Sequence, residues 1–232
     1  MKLPITLLAS ALITAAPLAI AAPNLVANGS FEAGNTGFTS VYSYSPAGNS
    51  DEGQYTVRAN PSPWNRDFIS AADHTTGSGL MYVGNGSPVD GSVVWQSATF
   101  AVTANANYFF EAFVMNVCCI AGYSGANSAS VLEFSINGAS VGTRTTNLAL
   151  AGTWEGLSTP WNSGSASTAE LRLINRNTAR GGNDFAVDDV SLSVESTVIS
   201  SPVPEPTTTA LMLLGLAGVG LAARRKTSHQ RD

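Results

Sequence analysis

Val131-Leu132-Glu133-Phe134-Ser135-Ile136-Asn137-Gly138-Ala139-Ser140 is the stretch whose reading decides the fold. In an extended chain Val131, Glu133 and Ser135 share one face, and Leu132, Phe134 and Ile136 share the other. That two-residue period is the mark of a half-buried strand. Asn137-Gly138 supplies the two residues that most readily take positive φ, so a tight hairpin is expected, with Ser140 to Thr145 as the returning strand.

Outward from this hairpin the same rhythm recurs. Leu80–Val83, Val93–Val102, Tyr108–Val117, Trp154–Leu157, Glu170–Asn175 and Phe185–Val194 are short β-rich runs separated by Gly, Asn and Ser. No sustained 3.6-residue periodicity and no internal repeat interrupts them. Eight or so short strands with turn signals between them predict an all-β domain, a jelly-roll β-sandwich over residues 22–195. The next segment, 196–206, is rich in Ser, Thr, Val and Pro and reads as a linker.

Composition narrows the function. The chain has 232 residues, 44% apolar and only 12% charged, with 22 glycines and a net charge of −5. A disordered polyelectrolyte needs more charge, and a coiled coil needs far more Glu, Lys and Leu. Between Ala22 and Pro206 fifteen acids face six arginines, and no lysine is present. No basic stripe is available for nucleic acid.

The positive charge lies at the two ends. Met1-Lys2 precedes an apolar run from Leu3 to Ile20, and Ala19-Ile20-Ala21 places small residues at −3 and −1. Residues 1–21 therefore read as a secretory signal peptide, delivered through the secretion translocon. At the other end Pro204-Glu205-Pro206 precedes an uncharged run, Thr207 to Ala223, followed by Arg224-Arg225-Lys226. Seventeen helical residues span about 26 Å, enough for a thin bilayer. Residues 207–223 read as a transmembrane helix, and the basic segment 224–232 as a cytoplasmic tail.

Pro204-Glu205-Pro206, a short Gly-containing apolar segment and an Arg-rich end resemble the PEP-CTERM sorting signal of Gram-negative bacteria. The resemblance implies recognition by an exosortase-type enzyme in the inner membrane. Cleavage near the motif would then release the protein to the cell surface or extracellular matrix. Pro204, Glu205, Pro206, Arg224 and Arg225 are in this reading elements seen by another enzyme.

A second resemblance covers roughly residues 24–194. The opening Asn24-Leu25-Val26-Ala27-Asn28-Gly29-Ser30-Phe31-Glu32 and the closing Phe185-Ala186-Val187-Asp188-Asp189-Val190-Ser191-Leu192 are similar to the galactose-binding-like jelly roll. That group includes carbohydrate-binding modules of the family 4, 9 and 22 type. It implies a structural Ca2+ ion held by Glu32 and by Asp188 or Asp189, in line with the preference of calcium for carboxylate and carbonyl oxygens. Alternation places Asp188 on the inward face with Val190 and Leu192, which favours it over Asp189 as the ligand. The alternative is that Glu32 is solvated and the Asp pair caps a strand.

Sugar recognition joins an aromatic wall to hydrogen-bonding neighbours. Trp64 and Trp161 lie in Pro- and Asn-containing loops, where exposure is expected, whereas Trp95 and Trp154 read as packing residues. Tyr42 and Tyr44 alternate in a Ser-rich stretch, and Arg66 and Asp67 follow Trp64 closely enough to add hydrogen bonds. Each of these aromatics could equally be loop packing.

Cys118 and Cys119 are the only cysteines and are adjacent. In an exported protein they could close on each other, stay as free thiols, or bond between molecules. HExxH, CxxC and phosphate-loop patterns are all missing, and no catalytic residue is assigned. The sequence therefore points to a carbohydrate-binding surface or biofilm-matrix protein, with exopolysaccharide as the natural ligand. The alternative is a structural matrix component with no defined sugar.

Overall fold

Asn137 and Gly138 turn the chain with φ of 50° and 82°. They join β8 (Val131–Ile136) to β9 (Ala139–Thr145) in an antiparallel pair. The computed structural model describes residues 22–198. The signal segment 1–21, the Pro204-Glu205-Pro206 motif, the run 207–223 and Arg224-Arg225 lie outside the described residues. Among the described residues no helix is long and apolar enough to cross a membrane.

The remaining strands are β1 (Phe38–Thr39), β2 (Ser43–Tyr44), β3 (Gln54–Arg58), β4 (Met81–Asn85), β5 (Ser92–Ser97), β6 (Phe100–Ala101) and β7 (Asn107–Asn116). They are completed by β10 (Glu155–Asn162), β11 (Thr168–Ala169), β12 (Leu171–Asn175) and β13 (Phe185–Ser193). A five-stranded sheet runs β1-β5-β12-β8-β9, and a six-stranded sheet runs β10-β7-β13-β4-β3-β2. The expected all-β sandwich is thus present. The run Val93–Val102 is not one strand, however. It breaks after Ser97, and β6 pairs separately with β11.

Between the sheets lies the main core, where Phe31, Tyr82, Trp95, Phe110, Phe134 and Phe185 are fully buried. A second core covers the outer face of the six-stranded sheet. Trp64 and Phe68, from the segment between β3 and β4, pack on Met81, Val83, Met115, Val117 and Ala186. The chain opening runs beside β13, with Leu25 N donating to Leu192 O and Val190 N to Gly29 O. A Cβ at Gly29 would lie 1.9 Å from Val190 O, so only glycine allows this approach.

β13 corrects the expected phase of the Asp pair. Phe185 and Val187 face the main core, and so do Val190 and Leu192. The change from odd to even occurs because the register with β7 shifts between Asp188 and Ser191, where Asp189 has φ of 46°. A bulge of this kind inverts the alternation. Asp188 therefore shares its face with Ala186, toward the outer core, and not with Val190 and Leu192.

Candidate functional site

The segment between β3 and β4 builds one wall of a polar pocket. Pro61 O accepts from Trp64 N and Asn65 N, which fixes a tight turn. The Trp64 indole is 3% exposed and donates from Nε1 to Ser45 O at 2.7 Å. Asn49 N donates to Trp64 O in return. Three amides then interlock, since Asn65 and Asn85 each donate from Nδ2 to Asn49 Oδ1 at 2.8 Å. Asn49 Nδ2 donates to Asp51 O, and Asp67 N donates to Asn65 Oδ1.

The result is an open pocket of about 600 Å³. Its lining includes Asn49, Asp51, Glu52, Asn65, Arg66 and Asp67, with Pro63 and Trp64. Arg180 holds Glu52 at 2.5 Å. Arg66 stands 93% exposed and lies 3.7 Å from Asp67, too far for a firm bond. Cys118 and Cys119 are bonded to each other across a cis peptide. Cys118 bridges to Phe68, and Ile120 N donates to Asp67 O.

Asp184 does not line this pocket and is 5% exposed. Its carboxylate takes one hydrogen bond, from Gly86 N at 3.2 Å. Burial lifts its pKa to about 8, against that bond, and the charges of Glu52 and Asp67 add to the rise.

The aromatic candidates divide. Trp64 lines the pocket but is only 3% exposed, which corrects its expected exposure. Trp161 is not in a loop either. It sits in β10 opposite Tyr108, with ring centroids 5.8 Å apart, and packs against the main core. The neighbouring Pro160 is tolerated because β10 is an edge strand. Tyr42 is 5% exposed, its hydroxyl accepting from Ser87 N at 2.8 Å and Asn175 Nδ2 at 3.1 Å. Burial pushes its pKa up to about 12. Tyr44 alone is open to solvent, tilted over Tyr55 at 5.3 Å. The structure thus unites Trp64 and Arg66 with Asp51 and Glu52, and leaves Tyr42 in the core and Trp161 half-buried against it.

Glu32, Asp188 and Asp189 meet protein donors. Glu32 Oε1 accepts from Leu80 N at 3.0 Å. Asp188 accepts from His74 N at 2.8 Å, Thr75 N at 3.2 Å and Asp189 N at 2.8 Å. Burial raises the Asp188 pKa to about 6, opposed by those donors. Asp189 pairs with His74 Nδ1 at 2.7 Å and accepts from the Thr75 hydroxyl. Among the described residues no three side chains of His, Cys, Asp or Glu converge to hold a metal ion. This donor set fits carboxylates closed by N–H and O–H groups; a calcium cage there would have to displace them.

His74 lies in the segment between β3 and β4. Its ring stacks on Phe113 with centroids 3.5 Å apart. With Asn24, Asn28, Ser30 and Asp189 it lines a second groove of about 500 Å³.

These features define an exported β-sandwich domain with an amide- and carboxylate-lined pocket. Residues 202–226 match the PEP-CTERM protein-sorting motif, so the chain carries a membrane-anchored sorting signal and is an exosortase-processed extracellular protein. No curated protein matches the chain. Among solved structures it is similar to the EclA C-terminal domain, a sugar-binding protein (16% identity, 59% of this chain and 89% of that one, TM-score 0.41). It is also similar to a family 16 carbohydrate-binding module-2 (16%, 73% and 99%, TM-score 0.39). A third similarity is to the CBM22-1-GH10 modules of Clostridium thermocellum xylanase 10B (16%, 74% of this chain, TM-score 0.42). The match spans only 29% of that chain's length.

Proposed function

We propose that this protein is delivered to the cell surface or extracellular matrix of a Gram-negative bacterium, where its β-sandwich binds carbohydrate, exopolysaccharide in particular. The observation that carries the reading is the convergence of Asn49, Asn65 and Asn85 with Asp51, Arg66 and Asp67 in one open pocket. Sugars are recognised by planar polar groups that meet paired hydroxyls, set beside an apolar wall. Pro63 and Trp64 supply that wall. The reading is of a binding domain and not a catalyst, with an exosortase-type enzyme, the translocon and the inner membrane as its partners before release.

The test is retention of the full chain on a glycan array and on extracted exopolysaccharide. Retention that is lost in an Arg66→Ala/Asp67→Ala variant with unchanged melting supports the proposal. A folded chain that retains nothing removes it and favours a structural matrix role. A calcium ion at Glu32 and at Asp188 or Asp189 is proposed separately. A melting temperature that falls with a chelator supports it, and an unchanged one removes it.

A further inference from the structure

β7 alternates across the six-stranded sheet. Phe110, Ala112 and Val114 face the main core, so Glu111 and Phe113 point to the outer side. An acid on an outer face is ordinarily left to solvent, yet Glu111 is fully buried. The segment that follows β13 covers it. Thr197 N donates to Glu111 Oε2 at 2.9 Å, the Thr197 hydroxyl to the same oxygen at 2.7 Å, and the Ser196 hydroxyl to Oε1. Burial alone would raise the Glu111 pKa, yet hydrogen bonds from Ser158, Ser196 and Thr197 hold it below its ordinary value.

β10 supplies the rest of the seat. Ser158 stands opposite Glu111, and Gly156 opposite Phe113. The Ser196 and Ser158 hydroxyls lie 3.1 Å apart. Two residues further on, Val198 occupies the space over Gly156, where a Cβ would come within 2.8 Å of Val198 Cγ1. Residues 196–198 therefore form a strap that keeps step with β7 and β10. It is held by a carboxylate, a hydroxyl and a gap that only glycine leaves.

This strap is also the start of the tether to the sorting motif at residues 202–226. Pro204 follows Val198 by six residues, and a chain spans at most about 3.3–3.6 Å per residue, so the fastened domain stands within about 20 Å of Pro204. A domain of this size has a radius of gyration of about 16 Å, so that reach hardly exceeds the body's own radius. With the strap released back to Val194 the reach becomes about 35 Å. An enzyme that grips Pro204-Glu205-Pro206 must fit between the sandwich and the uncharged run that begins at Thr207.

We infer that the strap gates processing of the sorting signal: fastened on Glu111, Ser158 and Gly156 it crowds the exosortase-type enzyme, and released it gives that enzyme room. The inference rests on the processing reading of the motif and adds what controls it. Cleavage proceeds from the unfastened population, so its rate follows that population.

The experiment is a pulse-chase of the full chain in a cell that carries the exosortase-type enzyme, reading conversion of the membrane-anchored form to the released form. Hydrogen exchange at residues 195–198 of the detergent-solubilised full chain reports whether the strap is fastened. Glu111→Ala removes the acceptor, and Gly156→Val fills the space of Val198. Each is expected to speed that exchange and to raise the rate of release about fivefold, as the unfastened fraction grows. A Ser158→Cys/Ser196→Cys variant, bonded across the strap, is expected to slow release. The two opening variants act by unrelated chemistry, so if melting shows one of them misfolded the other decides. Release at the parent rate from both the opened and the bonded forms overturns the inference and leaves the strap as packing. Slower release from the opened forms also overturns it, since the fastened strap would then present the motif. Parental exchange at residues 195–198 in both opening variants overturns the seat assigned to the strap. Release of the parent chain that is absent, or that survives Glu205→Ala, removes the processing reading and the inference with it.

Discussion

Asp184 and Asp188 stand four residues apart at one strand, and both are nearly lost from solvent. Asp188 is enclosed by the backbone of His74, Thr75 and Asp189. Asp184 has Gly86 N alone. The first arrangement is finished by the protein itself: the carboxylate staples the segment after Ala72 to the sheet. The second keeps a single donor, and burial pushes its pKa up to about 8, so the carboxyl is neutral over most of the physiological range.

The largest expected effect concerns the wall between the two regions. Trp64→Ala empties a buried indole from the outer core and is expected to cost about 3–5 kcal/mol. Thermal melting measures it. A variant that melts normally would show that Trp64 is an accessory of the pocket and not part of a core. Next, Asp188→Ala leaves the N–H groups of His74 and Thr75 without their acceptor and is expected to cost about 3 kcal/mol, several buried donors losing one partner. Denaturant unfolding reads this loss, and a change below the error of the fit would erase the distinction drawn between the two aspartates.

Asp184→Asn is expected to act in the opposite direction. A carboxyl whose pKa is about 8 when folded and about 3.8 when unfolded holds its proton more tightly in the native state. Stability therefore falls as pH rises from about 4 to 8, because the unfolded chain ionises first. Asn keeps the acceptor for Gly86 N and removes this term. The variant is expected to match the parent at pH 4 and exceed it by about 1–2 kcal/mol at pH 8, a discounted share of the full shift. Melting curves across that range check it, and a parent favoured at pH 8 would mean that Asp184 is satisfied after all. The smallest effect is expected for Arg66→Ala and Asp51→Asn, exposed groups whose loss should move stability by less than about 0.5 kcal/mol. Chemical denaturation of each checks that they serve binding and not folding.

Much of the sandwich was legible because it is written in local alternation. Val131–Ile136 and Asn137-Gly138 carry their own pairing and turn, and β8 and β9 follow them. The phase of β13 was not legible, because the bulge at Asp189 reverses alternation without any change in residue type. Trp161 was misplaced because Pro160 reads as a breaker, and only the edge position of β10 makes it harmless. Trp64 was misread because its core partners Met81, Val83 and Met115 come from β4 and β7. The pocket was only half legible. Trp64, Arg66 and Asp67 are neighbours in sequence, but Asn49 and Asn85 come from separate segments joined by no spacing rule.

The central claim is that glycan enters the Trp64 pocket and not the groove beside His74. Hydrogen–deuterium exchange of the full chain, with and without a retained glycan, tests it directly. The account predicts slowed exchange at residues 49–52 and 63–67 and no change at residues 24–30 and 74–76. Protection confined to residues 24–30 and 74–76 would contradict it.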